Sequence, residues 1–411
     1  YFLISRSLGV EFGGSIGLVF FLAQAASVAM YLIGFTEAFQ DAFPNVAIEP
    51  RSLASLVNAG VFLCVFIGAG WTIKVQYGIL AVLIAALVSF AAGGLRDFDP
   101  VALQENLTSD YRGGATLFAM FALFFPAATG IMAGANMSGD LKEPSRSIPR
   151  GTLAAIGVTA MVYVGMALLL GGVAGREQLH QDNMIVKTVS WSPLLVTLGV
   201  FAATLSSAIG SMMGAPRILQ ALARDRIFKG LGYFAKGAGS SNEPRRAVAL
   251  TFLIAQGGIL IGDLNVIAPI ITMFFIVTYG YLNLATFYEA YTRNPSYRPT
   301  FRFSHWALAL LGAVGCGAAM FLISPLWATV AVAAMGVLHW SIARREVLAA
   351  WGDVRGGTAF ERARRSLLKL EVETFHPKNW RPHVLALSGG AWNRVHLAVY
   401  GPTGWSPAAA C

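Results

Sequence analysis

Long apolar runs separated by short polar connections recur along nearly the whole chain. Gly13–Phe39, Leu53–Trp71 and Gly151–Gly175 are each long enough to cross about 30 Å of hydrocarbon as a helix. The same pattern predicts ten helical spans, near 13–39, 53–71, 74–94, 114–134, 151–175, 190–223, 247–262, 265–291, 305–323 and 325–342.

The connections alternate in charge. Arg6, Lys74, the Lys142/Arg146/Arg150 loop, the stretch from Arg217 to Arg246, the Arg293/Arg298/Arg302 loop and the tail from Arg344 are basic. The opposite set carries Asp41, Glu49, Asp97, Asp99, Glu105, Asp110, Glu177, Asp182 and Asp263, with fewer cations: Arg51, Arg96, Arg112, Arg176 and Lys187. Lysine and arginine enrichment marks the cytoplasmic side, so both chain ends are expected there, as an even number of spans requires.

Composition agrees. Of 411 residues, 56% are hydrophobic and only 12% are charged, about half the charge of a soluble globular chain. Too few ionic groups remain to wet a soluble fold, and disorder, collagen and a secreted disulfide scaffold are excluded. An all-α polytopic membrane protein is the expected class. The net charge of +9, from 30 Lys and Arg against 21 Asp and Glu, then reflects placement at the membrane and not a nucleic-acid partner. Cys64, Cys316 and Cys411 make no disulfide framework, and the six histidines never pair at ligand spacing, so no transition-metal site is expected. No phosphate loop, metal cluster or activated nucleophile points to an enzyme, and no cofactor is implied.

After Arg345 the character changes. Residues 1–345 form the expected membrane domain, and 346–411, with Arg362, Arg364, Arg365, Lys369, Glu371 and Glu373, the start of a cytoplasmic one in which Val384–Leu387 begins a strand. The chain opens on Tyr1 in mid-pattern, so its natural N-terminus is expected to lie upstream. Asn106-Leu107-Thr108, in an outer loop, is a glycosylation sequon.

The most informative stretch is FFPAATGIMAGANMSGDL, Phe124–Leu141. Pro126 has no N–H and displaces the carbonyl four residues back, while Gly130 and Gly134 tolerate unwound backbone angles. Bare backbone is costly in hydrocarbon, so the interruption should line a cavity. The first half-helix then ends in carbonyls near Ala122–Pro126, suited to a dehydrated cation. The second begins with N–H groups at Gly130, Ile131 and Met132, whose dipole favours an anion. Such midplane breaks are the pattern of secondary transporters; the alternative is a simple proline kink. Ionised side chains are scarce in the spans, Glu37 near one end being the main exception. Small inorganic ions need none, because a cation and an anion held close together offset each other's desolvation.

These residues resemble a family. FFPAATGIMAGANMSGDLKEPSRSIPRGTL, Phe124–Leu153, is similar to the sixth-helix signature of the cation–chloride cotransporters, a branch of the amino acid–polyamine–organocation superfamily. ISRSLGVEFGGSIGL (Ile4–Leu18), MGAPRILQALARD (Met213–Asp225), ILIGDLNVIAPIITMFF (Ile259–Phe275), WGDVRGG (Trp351–Gly357) and HPKNWRP (His376–Pro382) extend the likeness in order along the chain. The resemblance implies an inverted-repeat transporter fold with a discontinuous helix. Ten of its expected twelve spans are present and the first two, including a second broken helix with further ligands, are missing.

Site roles follow from the resemblance. Tyr31, Pro126 and Thr129 match potassium ligands; Gly130, Ile131 and Met132, with Tyr279, match a chloride site; Ala203, Ser206 and Ser207 match the sodium site of sodium-coupled members. The bland alternatives are an interfacial tyrosine for Tyr31 and interhelical hydrogen bonding for the serines. Gly210 and Gly214 read as close helix packing. WGDVRGG and HPKNWRP look more like the potassium–chloride branch, whereas the serines, which would touch the ion, favour sodium. The implied activity is electroneutral symport of chloride with potassium and sodium in the plasma membrane by a homodimer. Potassium–chloride symport, an amino acid permease of the same fold and a non-transporting membrane subunit remain as alternatives. The partners implied are inorganic ions and the lipid bilayer.

Overall fold

The computed structural model describes residues 2–344 apart from 114–115, 137, 139–140, 183, 240–241, 263 and 293–304, together with residues 359, 363–364 and 366 and strands 385–390, 394–401 and 404–407. The Arg293/Arg298/Arg302 connection, Asp263, WGDVRGG, HPKNWRP and the tail charges Arg362, Arg365, Lys369, Glu371 and Glu373 lie outside the described residues.

Most of the described residues up to 344 are helical. A short α1 (Phe2–Leu8) leads through Gly9 into α2 (Val10–Ala42), followed by α3 (Pro50–Ile67), α4 (Ala69–Arg96) and the small α5 (Pro100–Asn106). The interrupted segment comprises α6 (Leu117–Phe124), a 3-10 turn (Phe125–Ala128) and the single turn α7 (Ala133–Asn136). Then come α8 (Pro144–Val173), α9 (Arg176–Gln181), α10 (Ile185–Val189), α11 (Pro193–Arg224), α12 (Arg245–Ile261), α13 (Leu264–Thr292), α14 (Trp306–Ile323) and α15 (Pro325–Ala343). Eight of these helices are long and apolar enough to cross a membrane by themselves. The two remaining expected spans are the 17-residue α12 and the interrupted segment. This is an integral membrane protein.

Local sequence signals place the helix starts. Proline stands at the beginning of α3, α5, α8, α11 and α15, where its missing N–H would have no intrahelical partner anyway. The Asp99 carboxylate accepts from the Val101 N–H, and the Ser324 hydroxyl from the Trp327 N–H, each satisfying one orphan donor. Gly262 ends α12 in the left-handed conformation that glycine adopts without a Cβ penalty.

Helix α2 is the hub, packing on α11, α13, α12, α3 and α15. In its apolar window 72% of residues are buried within the chain, against none in that of α8. Val28, Ala29 and Leu32 of α2 meet Ala208, Ile209 and Met212 of α11 and Ala255 and Ile259 of α12. Two turns earlier on α2, Phe20 and Phe21 join Ile271, Phe275 and Tyr279 of α13. In a bilayer, lipid tails are as apolar as leucine, so these contacts hold through close packing and not through removal from water. Gly258 shows why size matters: a Cβ there would sit 2.7 Å from the Ala29 side chain. Gly210, by contrast, has nothing within 4 Å of where its Cβ would be, so of the expected Gly210/Gly214 pair only Gly214 makes a close approach. The two share a face of α11, so the difference is one of level: Gln24 and Asn136 stand beside residue 214 and not one turn earlier.

The connections that the sequence assigns to the acidic side meet one another. Arg112 pairs with Asp110 at 3.2 Å and with Glu177 at 2.7 Å, and Lys187 with Asp41 at 3.0 Å. Hydrogen bonds from Arg112 and then Gln181 hold the Glu177 carboxyl below the usual carboxylate range. The sequon is used structurally. The Asn106 side-chain amide donates to the carbonyls of Gly171 at 2.8 Å and Ala174 at 2.9 Å, and Arg176 donates to the Thr108 hydroxyl at 2.7 Å. The nitrogen that would carry a glycan therefore ties α5 to the end of α8. Glu289, another carboxylate within a helix, is well buried in α13 at 8% exposure.

Contacts divide the chain into two units, Tyr1–Val354 and Arg355–Cys411. Within the second, β1 (Leu385–Gly390), β2 (Arg394–Gly401) and β3 (Gly404–Pro407) form an antiparallel sheet in that order, with Leu385 opposite Val399 and Ala398 opposite Pro407. The strand expected from Val384 begins at Leu385; Val384 itself lies outside the described residues.

Candidate functional site

The break in the fourth span follows from two residues. Pro126 cannot supply the N–H that would continue α6, and the ladder tightens into the 3-10 turn Phe125–Ala128. Thr129 to Met132 then run as turn, with Gly130 at φ +89°, a value that L side chains rarely adopt. Helical bonding resumes where the Ala133 N–H reaches the Gly130 carbonyl at 3.0 Å and the Asn136 N–H reaches Met132 at 2.9 Å. The helix is discontinuous at the residues that the sequence singled out.

Two tyrosines from packed neighbours close on this turn. The Gly130 N–H donates to the Tyr279 hydroxyl oxygen at 3.3 Å. Tyr279 is 7% exposed and held within the α2–α13 core, so its position is set by packing. The Tyr31 side chain, from α2, shares a hydrogen bond with the Thr129 hydroxyl, and Tyr31 lies near enough to Tyr279 for the two phenols to interact electrostatically. Tyr31, Thr129, Gly130 and Tyr279 thus converge from three separate parts of the chain. Because the Tyr279 oxygen accepts from Gly130, its own proton is left for one further acceptor. The amide and the phenol, both expected as donors to one anion, are here donor and acceptor to each other. Pro126 lies in the 3-10 turn, and Ile131 and Met132 complete the turn after Gly130.

The unwound backbone borders a cavity of about 720 Å³ between the interrupted span and α8. Thr129, Gly130, Ile131 and Gly134 line one wall, and Thr152 and Tyr163 the other. This is the setting in which irregular backbone is tolerated at membrane depth. Tyr163 was not foreseen from the sequence. Its hydroxyl donates to the Ala127 carbonyl of the 3-10 turn at 3.0 Å, and its ring stands edge-on to Phe124. The only sequence signal was a phenol in an otherwise aliphatic span, AMVYVGMALLL.

The serines on α11 are arranged differently. The Ser206 hydroxyl donates to the Gln76 side-chain carbonyl of α4, and the Gln76 amide donates back to the Ser206 backbone carbonyl at 3.1 Å. Ala203 and Ser206 are half-buried and Ser207 is exposed. Two turns further along α11, Gly214 packs beside Asn136 and Gln24. Ser206–Ser207 precede that contact by roughly 10–12 Å of helix rise along α11. Among the described residues the Ser206 partner is Gln76, which the sequence did not single out. A lone glutamine in an apolar helix was the available signal.

Comparison with known proteins fits this geometry. Residues 1–386 match the family model for amino acid permeases. The chain is 36% identical to solute carrier family 12 member 2 of Squalus acanthias over 453 aligned residues, which covers 97% of the chain and 38% of that protein. It is 35% identical to solute carrier family 12 member 1 of Mus musculus and to member 2 of Homo sapiens, again over 97% of the chain and over 41% and 37% of those proteins. The chain thus spans about two fifths of the length of these relatives.

Proposed function

We propose that this chain, which belongs to the amino acid permease family and within it to the cation–chloride cotransporters, is the ion-carrying part of an electroneutral symporter of chloride, potassium and sodium. The observation that carries the reading is the convergence of Tyr31, Thr129, Gly130 and Tyr279 on one unwound turn. Potassium would be held by the Tyr31 and Thr129 hydroxyls and the Pro126 carbonyl, neutral oxygens replacing its water shell. Chloride would be held by the Gly130, Ile131 and Met132 N–H groups and the Tyr279 phenol proton, at the positive end of the second half-helix. Two such ions 4–5 Å apart attract by about 3–4 kcal/mol at an effective dielectric near 20. Each therefore lowers the cost of desolvating the other, which couples their transport without a buried protein charge. Alternating access would come from rocking of the elements that carry the break against the α2–α11 scaffold.

The sodium assignment rests on Ala203, Ser206 and Ser207. One observation favours the narrower reading of potassium–chloride symport: Gln76 engages both the hydroxyl and the backbone carbonyl of Ser206. Residence in the plasma membrane, cytoplasmic chain ends, a transporter domain over 1–345 with a cytoplasmic domain from 346, and a homodimer through α14 and α15 belong to the same proposal.

Rubidium uptake by the intact protein in vesicles tests it. Uptake should fall to background when external chloride is replaced by gluconate; uptake indifferent to chloride would refute symport. Loss of uptake without sodium supports the three-ion reading, and sodium-indifferent uptake the two-ion one.

A further inference from the structure

Away from the break, the start of α12 holds a second pocket, of about 420 Å³, whose lining changes from basic to apolar. At its mouth are Arg245 and Arg246, both exposed. The Arg245 guanidinium lies 5.1 Å from the Phe66 ring centre, and that of Arg246 lies 4.2 Å from the Tyr233 ring while donating to the Tyr233 carbonyl at 2.9 Å. Among the described residues neither arginine has a carboxylate partner. The floor is Ala249, Leu250 and Leu253, the last 62% exposed. Leu253 lies seven residues beyond Arg246, roughly 10 Å deeper along the helix.

We propose that this pocket binds one anionic phospholipid, its phosphate between Arg245 and Arg246 and the upper part of an acyl chain along Leu250 and Leu253. The placement argues for a lipid over a soluble anion. The arginines stand at the end of a 17-residue apolar helix, where headgroups lie, and exposed leucine faces the hydrocarbon directly below them. They fall in the 217–246 connection, whose positive charge marks the cytoplasmic leaflet, where anionic lipids concentrate. Phe66 and Tyr233 fix the two cationic planes, so little side-chain freedom is lost on binding. The inference is independent of which ions cross the membrane.

Native mass spectrometry of the intact protein, titrated with phosphatidylserine and separately with phosphatidylcholine, reads this out. One phosphatidylserine per protomer should be retained over phosphatidylcholine. Arg245→Gln with Arg246→Gln should weaken that binding about thirty-fold, at about 1 kcal/mol per arginine, and Arg245→Gln alone about five-fold. Arg150→Gln, on the same side of the membrane, should leave it unchanged. Retention of the lipid by variants that elute as the wild type does would overturn the proposal. So would its complete displacement by millimolar inorganic phosphate, which would show an anion site with no lipid component.

Discussion

The backbone N–H of Gly130 and the hydroxyl oxygen of Tyr279 are 3.3 Å apart and hydrogen bonded across 149 residues of sequence. A main-chain donor in mid-span is thus met by a phenol whose own proton has no acceptor among the described residues. Removing that proton while keeping the ring separates chemistry from packing. Tyr279→Phe should raise the chloride concentration for half-maximal rubidium uptake by roughly ten- to hundred-fold, as expected for one hydrogen bond to a charged group. At saturating chloride the potassium dependence should move less than two-fold.

Thr129 should show the opposite preference. Its hydroxyl already pairs with Tyr31, so Thr129→Ala removes one neutral oxygen and leaves the other without its partner. The half-maximal potassium concentration is expected to rise about ten-fold. Thr129→Ser should restore it, because the methyl group plays no part in the pairing.

Gly130 and Gly134 offer a matched pair for backbone strain. Neither has an atom within 4 Å of a built Cβ, so added bulk costs nothing at either position. Only Gly130 has positive φ. Gly130→Ala should therefore destabilise the protein by about 1–2 kcal/mol while Gly134→Ala does not, seen as a lower thermal midpoint for the first alone.

The outer pairing of Arg112 with Glu177 should depend on pH in a definite direction. The Glu177 carboxyl titrates below its ordinary value because Arg112 and Gln181 donate to it, so its contribution is complete at neutral pH and is lost as pH falls through that lowered value. Hydrogen exchange in α9, corrected for intrinsic rates, should show an acid step at pH values below the ordinary carboxylate range. Glu177→Gln should raise it modestly at neutral pH, to about the level the wild type reaches in acid, and remove the acid step.

What the sequence made legible was what backbone chemistry dictates. Pro126 and Gly130 stop a helix whatever surrounds them, and runs such as Gly13–Phe39 can only be spans. Tyr31, Thr129 and Tyr279 were placed by resemblance and lie together in the fold, a proximity that no local periodicity contains. The misses share a cause: each depends on a partner distant in sequence. Gln76 is an unremarked polar residue until Ser206 stands opposite it, and Tyr163 until Ala127 does. Gly210 and Gly214 look equivalent along α11, yet only one faces Asn136. Asn106 fits a sequon perfectly, and its nitrogen is engaged by Gly171 and Ala174.

The central claim is that peptide dipoles at an unwound turn, together with hydroxyls, take the place of water around small ions. Anomalous diffraction from crystals of the intact protein grown in bromide tests it most directly, since bromide replaces chloride and can be located without bias. The account expects a bromide within hydrogen-bonding distance of the Gly130–Met132 N–H groups and the Tyr279 hydroxyl. Bromide found only elsewhere, or an uninterrupted helix through residues 126–130, would contradict it.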